Sequence, residues 1–174
     1  MRALLNGIYL LSGVLAGIFL VGIGVLILAQ VIARTLGLHL PSADEIAGYC
    51  LAASSFLGLA ATYRKAEHIR VGLLIERLSP RWRRPVELWC LAAAVFLLVY
   101  FAWYAIDMVW WSYVLNDVSQ GLLPIPLWIP QTGVAAGLAV MAIALIDDLI
   151  VLLAGGTPSY LAARAGEQGP GFER

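Results

Sequence analysis

Side chains that could bind a metal, hold a cofactor or attack a substrate are few in this sequence, and their spacing keeps them apart. The two histidines, His39 and His68, stand on either side of an uncharged stretch long enough to cross a membrane, so no pair of imidazoles can clamp a haem. Cys50 falls toward the outer end of one such stretch and Cys90 toward the inner end of the next. At 1.5 Å rise per residue the two thiols are roughly 20 Å or more apart, far beyond disulfide reach. Neither cysteine has the close ligand neighbours that a zinc site needs. Gly22-Ile23-Gly24 is a bare G-x-G inside an apolar run, and no Walker A sequence occurs. No catalytic, cofactor-binding or metal-ligating set is expected, and the chain reads as something other than an enzyme.

The carboxylates do not combine into a site either. Asp107 lies about 20 residues into the third apolar stretch, near an aromatic outer end where water or a neighbour reaches it. Asp147 and Asp148 fall at the inner end of the fourth stretch, where an ion pair with a basic loop is expected rather than ion transport. Arg34, Asp44 and Glu45 border the outer surface. No acid is expected near the middle of a span, which argues against a stand-alone proton- or sodium-coupled carrier.

The elements that place these groups are membrane helices. Of 174 residues, 61% are hydrophobic and only 13% charged, against about a quarter charged in an ordinary soluble domain. Mean hydropathy is +0.87. So little polar surface cannot cover a globule in water, and lipid is the solvent that fits. The formal net charge of zero points to no nucleic acid or acidic partner. No charge occurs from Ala3 to Ala33, too long a run for a signal peptide, whose apolar region is about 7–15 residues. Ile46 to Tyr63, Leu88 to Ile106 and Val118 to Ile146 are also uncharged, and each approaches or exceeds the roughly 20 residues needed to cross the hydrocarbon. Ser42-Ala43-Asp44-Glu45 has the form of a capping box opening the second helix. Pro126 or Pro130 suits the first position of the fourth, and Gly155-Gly156 suits its close. The expected fold is an all-α integral membrane protein. It has one domain over residues 1–157, with spans at about 7–33, 44–63, 86–113 and 127–153, and a polar tail at 158–174.

Lys and Arg set the orientation. Arg64, Lys65, Arg70, Arg77, Arg81, Arg83 and Arg84 gather between the second and third spans, whereas Arg34 to Glu45 has one basic residue and Asn116 to Pro126 none. The positive-inside rule puts the middle loop in the cytoplasm, and four spans then put both termini there, in a multi-pass protein of the bacterial inner membrane. Trp110, Trp111, Tyr113 and Trp128 would line the outer interface, and Tyr63, Trp82 and Trp89 the inner one.

The basic loop has a pattern of its own. As a helix, His68 to Arg84 sets Val71, Leu74, Ile75, Leu78 and Trp82 on one face and Arg70, Arg77, Arg81 and Arg84 on another. That is the pattern of an interfacial helix, apolar toward acyl chains and basic toward lipid headgroups; the plainer alternative is a solvated loop that only fixes topology. Small residues recur at helical spacing: Gly13 and Gly17 with Gly24, Gly133 with Gly137, and Gly48, Ala52 and Ser55. Packing within the bundle explains them better than contact with a partner.

From Arg34 onward several segments form a recognisable series. Arg34-Thr35 closes the first span, and Pro41-Ser42-Ala43-Asp44-Glu45 opens the second. Phe56-Leu57-Gly58 and Arg64-Lys65-Ala66-Glu67-His68-Ile69-Arg70-Val71 follow, then Ser119, Ile125-Pro126-Leu127-Trp128 and Gly133. From residue 34 to about 150 the chain resembles the small membrane subunit of tripartite ATP-independent periplasmic (TRAP) transporters, the DctQ-type family. Arg34, Glu45, Arg64, His68, Ile69, Pro126 and Trp128 are the motif positions carried over. One departure follows Arg70-Val71, where the family often has an aspartate and this chain has Gly72.

The resemblance implies a non-catalytic scaffold subunit. In such transporters a periplasmic substrate-binding protein captures an organic acid, a carboxylate or sugar acid, and a large polytopic membrane subunit imports it. The process is usually driven by a sodium gradient, with the ion sites in the large subunit. The polar tail leads us to expect a subunit separate from the large one. A binding protein approaching from the periplasm can meet only the 34–45 and 116–126 segments. Asp44, Glu45, Asp117 and Ser119 are therefore the candidate docking residues, slightly acidic in balance and suited to steering a basic surface. No substrate ligand can be assigned. Two other readings fit the residues, a self-sufficient small carrier working as an oligomer and a structural membrane assembly protein.

Overall fold

The computed structural model describes residues 2–38, 40–64 and 80–156, with the backbone alone at 2–4, 64, 80, 81 and 83. Four helices make up its regular structure: α1 Arg2–Thr35, α2 Ala43–Arg64, α3 Pro80–Val114 and α4 Trp128–Leu153. All four are long and apolar enough to cross a membrane. Among the described residues there is no strand, and the all-helical four-span expectation holds. His39, His68, Ile69, Arg70, Val71, Leu74, Ile75, Arg77, Leu78 and the 158–174 tail lie outside the described residues.

Three of the helices stop by the same device. A helix that ends in a Schellman turn needs one residue with positive φ just past its last turn, a conformation open to Gly and Asn. Gly37 (φ 73°), Asn116 (φ 52°) and Gly155 (φ 80°) supply it after α1, α3 and α4. The paired hydrogen bonds are complete in each case: Leu38 N–H to Ala33 O, Asp117 N–H to Ser112 O, and Gly156 N–H to Val151 O at 2.8, 3.0 and 2.9 Å. Gly155-Gly156 was legible as a stop.

The starts differ from expectation in two places. Neither proline occupies the first position of α4. Pro126 lies before the helix, in an isolated antiparallel bridge with Val118, and Pro130 is the third helical residue. Both positions tolerate a missing N–H, because the first four amides of a helix have no intrahelical acceptor. Pro80 begins α3, so Arg81 and Arg84 belong to the first turns of the third transmembrane helix rather than to the end of a separate amphipathic one.

The helices pack in the order α1, α2, α4, α3, with α2 and α4 in the middle and α1 barely meeting α4. Lipid gives apolar helices no hydrophobic reason to associate, so contact rests on small residues that let backbones approach. Between α1 and α2, Gly13 lies against Ala61 and Gly58 against Ala16. Two hydroxyls reinforce that seam: Ser12 donates to the Leu57 carbonyl, and Ser54 donates to the Ala16 carbonyl at 2.9 Å. Between α2 and α4, Gly133 meets Ala53, and Gly137 sits directly on the peptide group joining Phe56 and Leu57. Gly17 and Gly24 have open space instead, so only Gly13 of that expected face serves the bundle. One buried cluster, with Tyr9, Ala60, Tyr63, Leu91, Met141 and Leu145 among its members, spans all four helices, and a smaller one joins Ala16, Ala53 and Leu57.

Candidate functional site

At the end that carries the two ordered loops, residues 115–127 fold back over the start of α2. The loop closes on itself through the Ser119 N–H to Ile125 O (2.8 Å) and Leu127 N–H to Asp117 O (2.9 Å) hydrogen bonds. The Ser119 hydroxyl stiffens it further, donating to Leu123 O at 2.9 Å and accepting from the Ile125 N–H at 3.3 Å. Tyr113 and Trp128, on either side of the loop, stack edge to face with centroids 5.8 Å apart.

Two residues of α2 clip this loop down. Ser42 has φ 58°, a left-handed conformation rather than the extended one of an N-cap, and its Oγ accepts from the Leu123 N–H at 3.1 Å. The expected capping box is thus replaced by a tertiary contact across 81 residues of sequence. Glu45 turns inward as well. Its Oε1 accepts from the Tyr49 hydroxyl at 2.7 Å, and the hydroxyls of Ser119 and Ser42 lie beside the carboxylate. Its Oε2 is buried without a hydrogen-bond partner, directly beneath Gly121. Tyr49 stands four residues after Glu45, the spacing at which helical side chains meet; that signal was available in the sequence and was not used.

This geometry divides the four candidate docking residues. Asp44 and Asp117 are exposed, whereas Ser119 is buried and Glu45 is half-buried and already engaged. Gly121 owes its place to the carboxylate under it, and any Cβ there would strike Oε2. Gly121→Ala is expected to destabilise the folded chain by about 1–3 kcal/mol, the usual cost of overpacking. Combining it with Glu45→Ala should cost less than the sum of the two, because the second change removes the obstacle. Thermal melts of the single and double variants in mild detergent check this. Strictly additive losses would mean that the loop does not feel the carboxylate.

A second polar constellation lies at the opposite end of the bundle. Asp148 of α4 is 1% exposed and is the largest side chain so fully enclosed. The Tyr63 hydroxyl of α2 donates to its Oδ2 at 2.9 Å. Asp148 was expected to be a boundary charge available to the basic loop. It instead faces inward among the buried cluster, while its neighbour Asp147 is half-exposed.

The other motif positions are dispersed. Arg34 is exposed in the last turn of α1, Arg64 ends α2, and Pro126 and Trp128 flank the start of α4. The Arg84 guanidinium lies near Gly155, 3.7 Å from where a Cβ would stand, and so beside the carboxyl end of α4, where a helix favours positive charge. Cys50 and Cys90 are free thiols. Among the described residues, no group of three or more His, Cys, Asp or Glu side chains could hold a metal ion.

Residues 23–155 match the family described as tripartite ATP-independent periplasmic transporters, DctQ component. No curated protein matches the chain.

Proposed function

This chain belongs to the DctQ component family of tripartite ATP-independent periplasmic transporters, and from that membership we propose that it is the non-catalytic small subunit bracing the large membrane subunit of such a transporter. The cargo is an organic acid, a carboxylate or sugar acid, delivered by a periplasmic binding protein. A sodium gradient drives the import, and the ion sites reside in the large subunit.

The packing of α2 against α4 is the observation that carries the scaffold role. The two central helices meet backbone to backbone at Gly137 and the Phe56–Leu57 peptide, a contact that leaves no room for a solute between them. Asp148, the acid enclosed by the bundle, is engaged by Tyr63, and Asp107 stands on the outside of α3, so neither carboxylate faces an internal path. The positive-inside rule supports an orientation with the 36–42 and 115–127 loops in the periplasm and the 65–79 segment in the cytoplasm. Exposed Asp44 and Asp117 then face the binding protein, with a salt-sensitive contribution to its approach.

Reconstitution in liposomes tests the proposal. With an inward sodium gradient, this chain alone should move no organic acid. Uptake should begin only when the large subunit and the binding protein are added, the latter on the side where a cysteine placed at Ser119 can be labelled. Uptake by this chain alone, abolished by Asp107→Asn, would overturn the scaffold role and install a self-sufficient carrier in its place.

A further inference from the structure

The exposed faces of α1 and α3 are unlike one another. Between its terminal arginines α1 has no charge, and its outward residues are aliphatic, among them Leu10, Val21 and Leu28. Such a face is at home against acyl chains. Toward the outside, α3 presents aromatic rings, with Phe96 70% and Trp103 72% exposed. Phe96, Tyr100 and Trp103 line an open groove of about 520 Å³ whose floor reaches Leu149 of α4. Asp107 continues the same helical stripe one turn beyond Trp103, since residues three or four apart share a face. Its side chain is exposed. Seven residues separate it from the end of α3 at Val114, which sets it about 10 Å inside the end of the helix.

A carboxylate at that depth finds no suitable neighbour in lipid, whose tails offer neither a donor nor a positive charge. A second copy of this chain could not supply one. Its uncharged stretches at 3–33, 46–63, 88–106 and 118–146 contain no Lys or Arg, and a symmetric pairing through α3 would set Asp107 against Asp107. We infer that the α3 groove with Asp107 is the seat of a transmembrane helix of the large membrane subunit, a helix whose apolar side chains fill the groove and whose Lys or Arg pairs with Asp107. α1 is left facing lipid. The assignment rests on the scaffold reading above and adds which face does the bracing.

Photo-crosslinking in membranes that contain all three components tests it. Benzoylphenylalanine at Phe96 or Trp103 should give adducts with the large subunit, and the same group at Val21 of α1 should not. Adducts from Val21 with none from α3, or adducts from α3 to lipid alone, would overturn the assignment. Asp107→Arg should lower recovery of the large subunit with this chain by at least about tenfold, the consequence of opposing two like charges at a buried contact. The level of the chain itself should not change, because Asp107 makes no contact within the bundle that its own folding needs. Unchanged recovery would remove the charge pairing. If the unmodified chain recovers no large subunit at all, the scaffold role falls with the assignment; if it does and the adducts come from α1, only the face is wrong.

Discussion

Gly137→Leu is expected to part α2 from α4 and to cost the folded bundle about 3 kcal/mol, the upper end of overpacking penalties. The size follows from what a new side chain would strike. At Gly137 the obstacle is the backbone of Phe56 and Leu57, which no rotamer change can move aside. At Gly133 the obstacle is the Ala53 side chain, 2.8 Å from where a Cβ would stand, so Gly133→Ala should cost less than Gly137→Ala. Gly17→Leu is the control, because a Cβ there meets nothing within 4 Å. Thermal melts in mild detergent, followed by tryptophan fluorescence, rank the variants. Equal melting of Gly137→Leu and Gly17→Leu would show that the central seam does not hold the bundle.

The second large effect concerns the enclosed acid. Asp148→Ala should destabilise the bundle by about 2–4 kcal/mol, combining a cavity in a packed interior with a Tyr63 hydroxyl that loses its acceptor. Tyr63→Phe removes the donor alone and should cost about 1–3 kcal/mol. The double variant should cost less than the two added, as residues in direct contact usually show. Asp147→Ala supplies the contrast. Asp147 is half-exposed one position earlier, and its loss should fall within about 0.5 kcal/mol of neutral. A result in which the two aspartates cost the same would mean that burial does not distinguish them.

These contrasts locate the boundary between what the chain's sequence determined and what its tertiary structure decided. Hydrophobic run length and the positions of charges lie along the helix axis, and both can be counted locally. Four spans, the ends near Thr35, Tyr63, Val114 and Leu153, and the glycine stop at Gly155 therefore follow from the residues alone. The direction in which a residue faces around the axis does not. In a soluble helix an apolar stripe against a polar face reveals it, but a membrane helix is apolar toward lipid and toward its neighbours alike, so that periodicity vanishes. One step along a helix turns a side chain by about 100°. That step separates exposed Asp44 from Glu45 under its loop, and half-exposed Asp147 from enclosed Asp148. Gly17 and Gly137 belong to the same G-x-x-x-G pattern, yet one opens on empty space and the other on a peptide group. Only the docking of α2 between α1 and α4, and of the 115–127 loop onto Ser42 and Glu45, told these pairs apart. Both contacts join residues some 80 positions distant in the chain, where local pattern has no reach.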